Sequence, residues 1–155
     1  MLKKTFIIAL SVLLVVLSSG CFGGNPPSLR ESVSNLDAAV VKYNGIMGLY
    51  TSGNYSAARE EYIAAAARFR DCESSLKAAA NGNVTSLQKK DAGILAACCE
   101  QFAYAAQYMR DACTEARKPG PNNAYLMKVT ADEYALMAND NYQEIKKELD
   151  RSWSS

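Results

Sequence analysis

A hydrophobic repeat of about 3.5 residues runs through four successive segments of this 155-residue chain. In the first segment, apolar residues follow one another in alternating steps of four and three from Leu29 to Tyr50. Such a seam is typical of α-helices that pack side by side at shallow angles. No stretch alternates apolar and polar residues as a strand would. The chain is therefore predicted to be all-α.

The repeat predicts four helices, over residues 29–51, 55–81, 85–118 and 122–152. Ser28 is placed to cap the first helix, and Gly82 is expected to take a left-handed conformation in the second turn. The seam of the fourth helix is less regular, because four apolar residues fall to one side of it: Leu126, Val129, Leu136 and Leu149. Long helices with short turns favour an up-down-up-down antiparallel four-helix bundle over residues 29–155.

The residues around the first turn resemble one tetratricopeptide repeat. The matching positions are Gly53, Tyr55, Ala58, Tyr62 and Ala65, which have the spacing of the turn and second helix of that repeat. The resemblance implies tetratricopeptide-like helical hairpins as the alternative architecture. The second predicted helix, however, runs past the family's period of about 34 residues, and no second copy is visible. The bundle is therefore the favoured fold.

Residues 1–20 have the composition of a secretory signal peptide. Lys3 and Lys4 precede an apolar stretch from Phe6 to Leu17, which at about 12 residues is shorter than the roughly 20 that a membrane-spanning helix needs. The sequence Leu17-Ser18-Ser19-Gly20-Cys21 resembles the prokaryotic lipoprotein signal. The resemblance implies that Cys21 receives the lipid and anchors the chain to the outer face of the cytoplasmic membrane or to another envelope membrane.

Ser18 departs from that signal, which usually has a leucine-like residue three places before the cysteine. Small residues at Ser18 and Gly20 also suit an ordinary signal peptidase, which would leave Cys21 without lipid. Residues 21–28 contain two glycines and Pro26-Pro27 and are predicted to form a flexible tether. Because its seven residues after Cys21 reach at most about 25 Å, the bundle is expected to lie close to the lipid surface.

Histidine is absent from the chain, which excludes His-based catalytic triads and most zinc, copper and non-haem iron sites. The 17 basic and 16 acidic residues nearly balance, so the chain lacks the basic surface of a nucleic-acid-binding protein. Neighbouring carboxylates such as Glu60-Glu61 and Asp132-Glu133 diverge by about 100° on a helix and do not converge for acid–base chemistry. We expect no enzyme activity, no cofactor, no metal site and no nucleic-acid partner.

Four cysteines fall within the predicted bundle. Cys98 and Cys99 lie on the same predicted helix as Cys113, about 21 to 22 Å away along its axis, whereas a disulfide allows less than about 7 Å between Cα atoms. At most one intramolecular disulfide is therefore expected, and it must use Cys72. Counting residues outward from the second turn favours Cys98 as its partner, with Cys99 second. Cys99 and Cys113 are then candidate free thiols, or partners in a bond between chains.

Two predicted turns carry asparagine-linked glycosylation sequons, at Asn54 and Asn83, which matter only in a host with that pathway. Most of the nine tyrosines fall on or beside the seam, where the ring packs and the hydroxyl reaches water. Our leading interpretation is a non-enzymatic lipoprotein that interacts with another protein of the cell envelope. The alternative is a helical bundle that binds a small molecule in a tyrosine-rich groove outside the cytoplasm; the oligomeric state is left open.

Overall fold

A computed structural model describes residues 27–120 and 122–154 of the chain. This part contains four helices and no strand: α1 (Leu29–Thr51), α2 (Tyr55–Ala80), α3 (Ser86–Ala116) and α4 (Ala124–Ser154). The molecule is an all-α four-helix bundle, as the hydrophobic repeat predicts. The helix bounds differ from the predicted ones by no more than two residues. The predicted signal peptide and Cys21 lie outside the described residues.

Three side-chain contacts join the last helix to the first. At the start of α1, Arg30 lies 5.6 Å from the centre of the Trp153 ring at the end of α4. Two turns further along α1, Asp37 accepts a hydrogen bond from Tyr142 at 2.5 Å and pairs with Lys146 at 3.1 Å. The two helices therefore run antiparallel and are joined by these side chains. The most extensive packing is between helices that follow one another in the chain, above all α2 with α3 and α3 with α4.

Four aromatic rings form the centre of the core. Phe69 of α2 and Phe102 of α3 stack with their centroids 5.0 Å apart and their planes inclined by 14°. Tyr43 of α1 contacts both rings, at 5.9 and 6.1 Å, and meets Tyr62 of α2 edge-on at 5.8 Å. All four side chains are buried, and such pairs contribute about 0.5–1.5 kcal/mol each beyond their buried area. One cluster thereby joins three of the four helices.

Alanine supplies many of the small buried side chains of the bundle. In α4, alanines recur every seven residues at Ala124, Ala131 and Ala138, and all three are buried. Leu149 also belongs to this buried face, with 1% of its side chain exposed, whereas Leu126 and Leu136 are 63% exposed. The sequence pattern had grouped these three leucines, but Leu149 follows Ala131 by 18 residues, which is five complete turns of an α-helix.

Two turns require glycine. Gly53, between α1 and α2, has φ +78°, and Gly120, between α3 and α4, has φ +85°, a region that residues with a Cβ rarely occupy. The expectation of a left-handed Gly82 is wrong, because these two are the only glycines with positive φ in the described chain. At the end of α2, Asn81 stays right-handed, and the N–H groups of Asn81 and Gly82 bond to carbonyls three residues earlier. The last turn of α2 is therefore tighter than an α-helical turn, with hydrogen bonds that span three residues and not four.

Asp91, in the second turn of α3, is a buried carboxylate with only 3% of its surface exposed. Burial raises its pKa, and the charge of Glu148 on α4 raises it further, while Lys90 opposes the shift. An ionised carboxylate in this position destabilises the folded state relative to the unfolded one.

Replacing Asp91 by asparagine is expected to stabilise the protein at pH 7 by about 0.5–2 kcal/mol. Because the folded-state pKa is raised, the wild-type chain should gain stability as the pH falls through that pKa, and the variant should lack this gain. Urea unfolding from neutral pH down to about pH 4 measures both effects. The exposed Glu144→Gln serves as the control. Equal stability of Asp91→Asn and wild type at pH 7 would contradict the assignment.

Phe102→Ala is expected to lower the free energy of unfolding by about 3–5 kcal/mol. The substitution removes the ring that contacts both Phe69 and Tyr43 and leaves a cavity between three helices. Tyr125→Ala, at an exposed position on α4, is the matched control and should change stability by less than about 0.5 kcal/mol. A loss below about 1 kcal/mol for Phe102→Ala would show that the aromatic cluster is not the centre of the core.

Candidate functional site

A surface groove of about 470 Å³ lies between α1 and α2. Small-molecule sites in proteins commonly have volumes of roughly 300–1,000 Å³, so the groove has the size of a ligand site. Helix α1 lines it with Asn35, Ala38 and Ala39, and α2 lines it with Arg68, Asp71, Cys72 and Ser75.

Small side chains between two fixed contacts create the groove. Toward the start of α1, the hydroxyls of Ser32 and Ser75 are hydrogen-bonded at 2.7 Å. Further along α1, Tyr43 packs against the ring of Phe69. Between these contacts, α1 presents alanines, which are too short to fill the space between the helices. The groove is therefore a consequence of where the two helices are held together.

Opposite charges line the groove on the α2 side. Arg68 and Asp71 are three residues apart and so share a face of the helix. Within the described chain, neither side chain makes a hydrogen bond or an ion pair, and the amide of Asn35 is also without a partner. The groove thus offers an unpaired guanidinium, an unpaired carboxylate and a free amide to a ligand.

Cys72 lies in the groove beside Asp71 and is buried. Burial raises the pKa of its thiol to about 11, and the Asp71 carboxylate adds to the shift. The thiol therefore stays protonated at neutral pH. Because the thiolate is the reactive form of cysteine, Cys72 is a poor nucleophile. Cys72 contributes a weakly polar wall to the groove.

The four cysteines of the bundle are buried free thiols in this structure. Burial raises the pKa of Cys99, and the Cys72 and Cys98 thiols raise it further. Burial also raises the pKa of Cys98, to about 11. Cys113 lies 14 residues beyond Cys99 on the same helix. A disulfide at Cys72 stays a prediction for the oxidised chain.

The thiols of the folded, reduced protein are expected to react with iodoacetamide at least about 100-fold more slowly than in the unfolded chain, because burial hinders access and disfavours the thiolate. Alkylation at about pH 8, followed by peptide mapping, gives a rate for each cysteine, and the same reaction in urea gives the unfolded reference. Rapid modification of Cys72 in the folded protein would contradict its placement.

Exposed tyrosines form a second surface feature, on the outside of α3 and α4. Tyr104 and Tyr108 are one turn apart on α3 and are 43% and 37% exposed. Tyr134 of α4 lies against both, with ring centroids 5.7 Å from each. Met137 follows Tyr134 by one turn and is 55% exposed. These four residues are called the tyrosine patch below.

Carboxylates border the tyrosine patch. Glu100 accepts a hydrogen bond from the Tyr104 hydroxyl at 3.4 Å. On α4, Glu133 and Asp140 lie one turn before and one turn after Met137, and both are exposed. No ion pair within the described part of the chain neutralises either of them. The patch is therefore an apolar, aromatic surface with an acidic border.

The remaining tyrosines follow the seam only in part. Tyr43, Tyr62 and Tyr142 are buried, and burial raises the pKa of each hydroxyl. The Tyr62 hydroxyl is buried without a hydrogen-bond partner. No tyrosine lines the groove between α1 and α2, so this groove is not the tyrosine-rich one that the sequence suggests as an alternative.

Both predicted glycosylation sites lie at the surface in turns. Asn54 caps α2, with its side-chain oxygen accepting a hydrogen bond from the Ala57 N–H at 3.4 Å. Asn83 is exposed between α2 and α3. Use of either sequon stays a prediction.

No protein-family model, no curated protein and no solved structure matches this chain. None of the described helices is both long enough and apolar enough to cross a membrane. In the same part of the chain, no three side chains of the histidine, cysteine, aspartate or glutamate type converge as a metal site requires.

Proposed function

We propose that this chain is an exported, membrane-anchored lipoprotein whose helical bundle binds a protein of the cell envelope. The signal-like residues 1–20 and the lipoprotein-like sequence ending at Cys21 support export and anchoring. The tyrosine patch is the observation that carries the binding function.

The tyrosine patch has the chemistry of a protein-binding surface. Tyrosine is enriched among the residues that dominate binding energy, because its ring offers a large contact area for only two side-chain torsions. The rings of Tyr104, Tyr108 and Tyr134 already contact one another, so ordering them in a complex loses little further side-chain entropy. The acidic border favours a partner with an apolar centre surrounded by lysine or arginine.

The position of the patch suits an anchored protein. The predicted tether precedes α1, which begins at the end of the bundle where Arg30 meets Trp153. Tyr108 lies in the second half of α3 and Tyr134 in the first half of α4. In an antiparallel bundle both positions fall in the half away from the start of α1. A partner would therefore reach the patch on the half of the domain that is further from the lipid.

Cys21→Ser is expected to abolish lipid attachment and to release the chain from the membrane fraction, because one cysteine carries all of the acyl chains that hold it there. Metabolic labelling of cells with an alkyne fatty acid, followed by fractionation, measures both. A variant with Ser18 changed to leucine should keep the label. Labelling that persists in Cys21→Ser would contradict the anchor.

A photo-crosslinking residue in place of Tyr108 is expected to capture one specific envelope protein in intact cells. The same residue in place of Val41, which is exposed on α1, should not capture that protein. Met137→Asp adds a charge to the apolar centre of the patch and should weaken binding of the purified partner by at least about tenfold. Equal capture from both positions, or unchanged affinity of Met137→Asp, would contradict the assignment of the patch.

A further inference from the structure

We propose that the groove between α1 and α2 binds a small zwitterion with a short aliphatic side chain, of the size and chemistry of an aliphatic amino acid. This binding site lies between different helices from the tyrosine patch. The inference does not depend on lipid attachment or on the envelope partner.

The charges of the groove match a solute that carries both signs. The guanidinium of Arg68 presents parallel N–H donors that fit a carboxylate, and the carboxylate of Asp71 accepts hydrogen bonds from an ammonium group. Because neither residue is paired within the described chain, binding would break no existing ion pair. A solute with a single charge would gain one of these contacts and meet the like charge of the other.

The α1 side of the groove supplies orientation and an apolar surface. Asn35 carries both a donor and an acceptor and faces the groove across from α2. Ala38, Ala39 and Cys72 add small apolar or weakly polar groups, and the hydroxyl of Ser75, which completes the lining, is already bonded to Ser32. Such a surface accommodates an aliphatic side chain and offers it no hydrogen bonds that it would leave unmade.

The lining also excludes other ligand classes. Quaternary ammonium compounds are recognised by aromatic cages, and no aromatic residue lines this groove. The volume of about 470 Å³ is at the low end of ligand sites, which excludes large cofactors. The paired charges and the size of the groove favour a compact zwitterion with a primary ammonium group.

The first experiment uses L-leucine as the probe and the purified protein. Isothermal titration and amide chemical-shift mapping are expected to show binding at millimolar concentrations, with the largest shifts at Asn35, Ala38 and Arg68. Two analogues test the charge requirement: 4-methylpentanoate lacks the ammonium group, and 3-methylbutylamine lacks the carboxylate. Each should bind at least about tenfold more weakly than leucine, and glycine betaine should be equally weak.

Variants then test the residues. Arg68→Gln and Asp71→Asn should each weaken leucine binding by at least about tenfold, because each removes one charged contact. Arg70→Gln, on the same helix but beside the space between α2 and α3, should bind leucine like the wild type. Ala38→Leu should fill the groove and abolish binding. Circular dichroism measures whether each variant is folded. If Ala38→Leu does not fold, Arg68→Gln and Asp71→Asn still decide the question.

Four results would overturn the inference. These are no leucine binding at millimolar concentration, binding unchanged in both Arg68→Gln and Asp71→Asn, equal affinity for a singly charged analogue, and chemical-shift changes that map away from α1 and α2.

Discussion

Phe69 of α2 and Phe102 of α3 stack at the centre of the bundle, and the position of α1 depends on that pair. Tyr43 reaches both rings from α1, so the same contact positions a third helix. The fourth helix is held differently. Its alanines pack against the core, and Tyr142 bonds to Asp37 on α1. Because this bond and the neighbouring Lys146 pair are polar, they orient α4 more than they bury apolar surface.

Both candidate sites follow from how α1 and α4 are attached. Helix α1 is held to α2 by the Ser32–Ser75 hydrogen bond and by the packing of Tyr43 on Phe69, and the groove lies between those contacts. In its first half, helix α4 buries alanines, and larger apolar side chains such as Met137 remain outside. Exposed apolar surface of this kind marks interaction sites in soluble proteins. The same core thus leaves a concave polar site and a separate aromatic surface.

The sequence repeat was sufficient to predict the four helices and their bundle, since a period of 3.5 residues specifies side-by-side packing wherever it continues. It failed where residues far apart along a helix come to share one face. Leu149 lies on the buried face of Ala131, because 18 residues make five complete turns of an α-helix. A short stretch of the repeat does not show this alignment.

The groove could not be predicted from the repeat. Arg68 and Asp71 fall outside the seam, where charged residues are usually solvated, and only the alanines across from them on α1 turn that surface into a concave site. The tyrosine patch needed tertiary information as well, because the repeat within α4 does not show that the ring of Tyr134 contacts Tyr104 and Tyr108 on α3. In both cases residues from two helices combine, and the sequence of one helix does not show its neighbour.

Native-state hydrogen exchange of the folded protein tests the central role of the Phe69–Phe102 pair most directly. Amides in the middle of α2 and α3 should exchange only through global unfolding and should therefore show the highest protection in the molecule. Amides of α1 and α4 should exchange at lower free energies, because these helices can open while the central pair stays stacked. Protection in α1 or α4 that exceeds the protection around Phe69 and Phe102 would contradict this account.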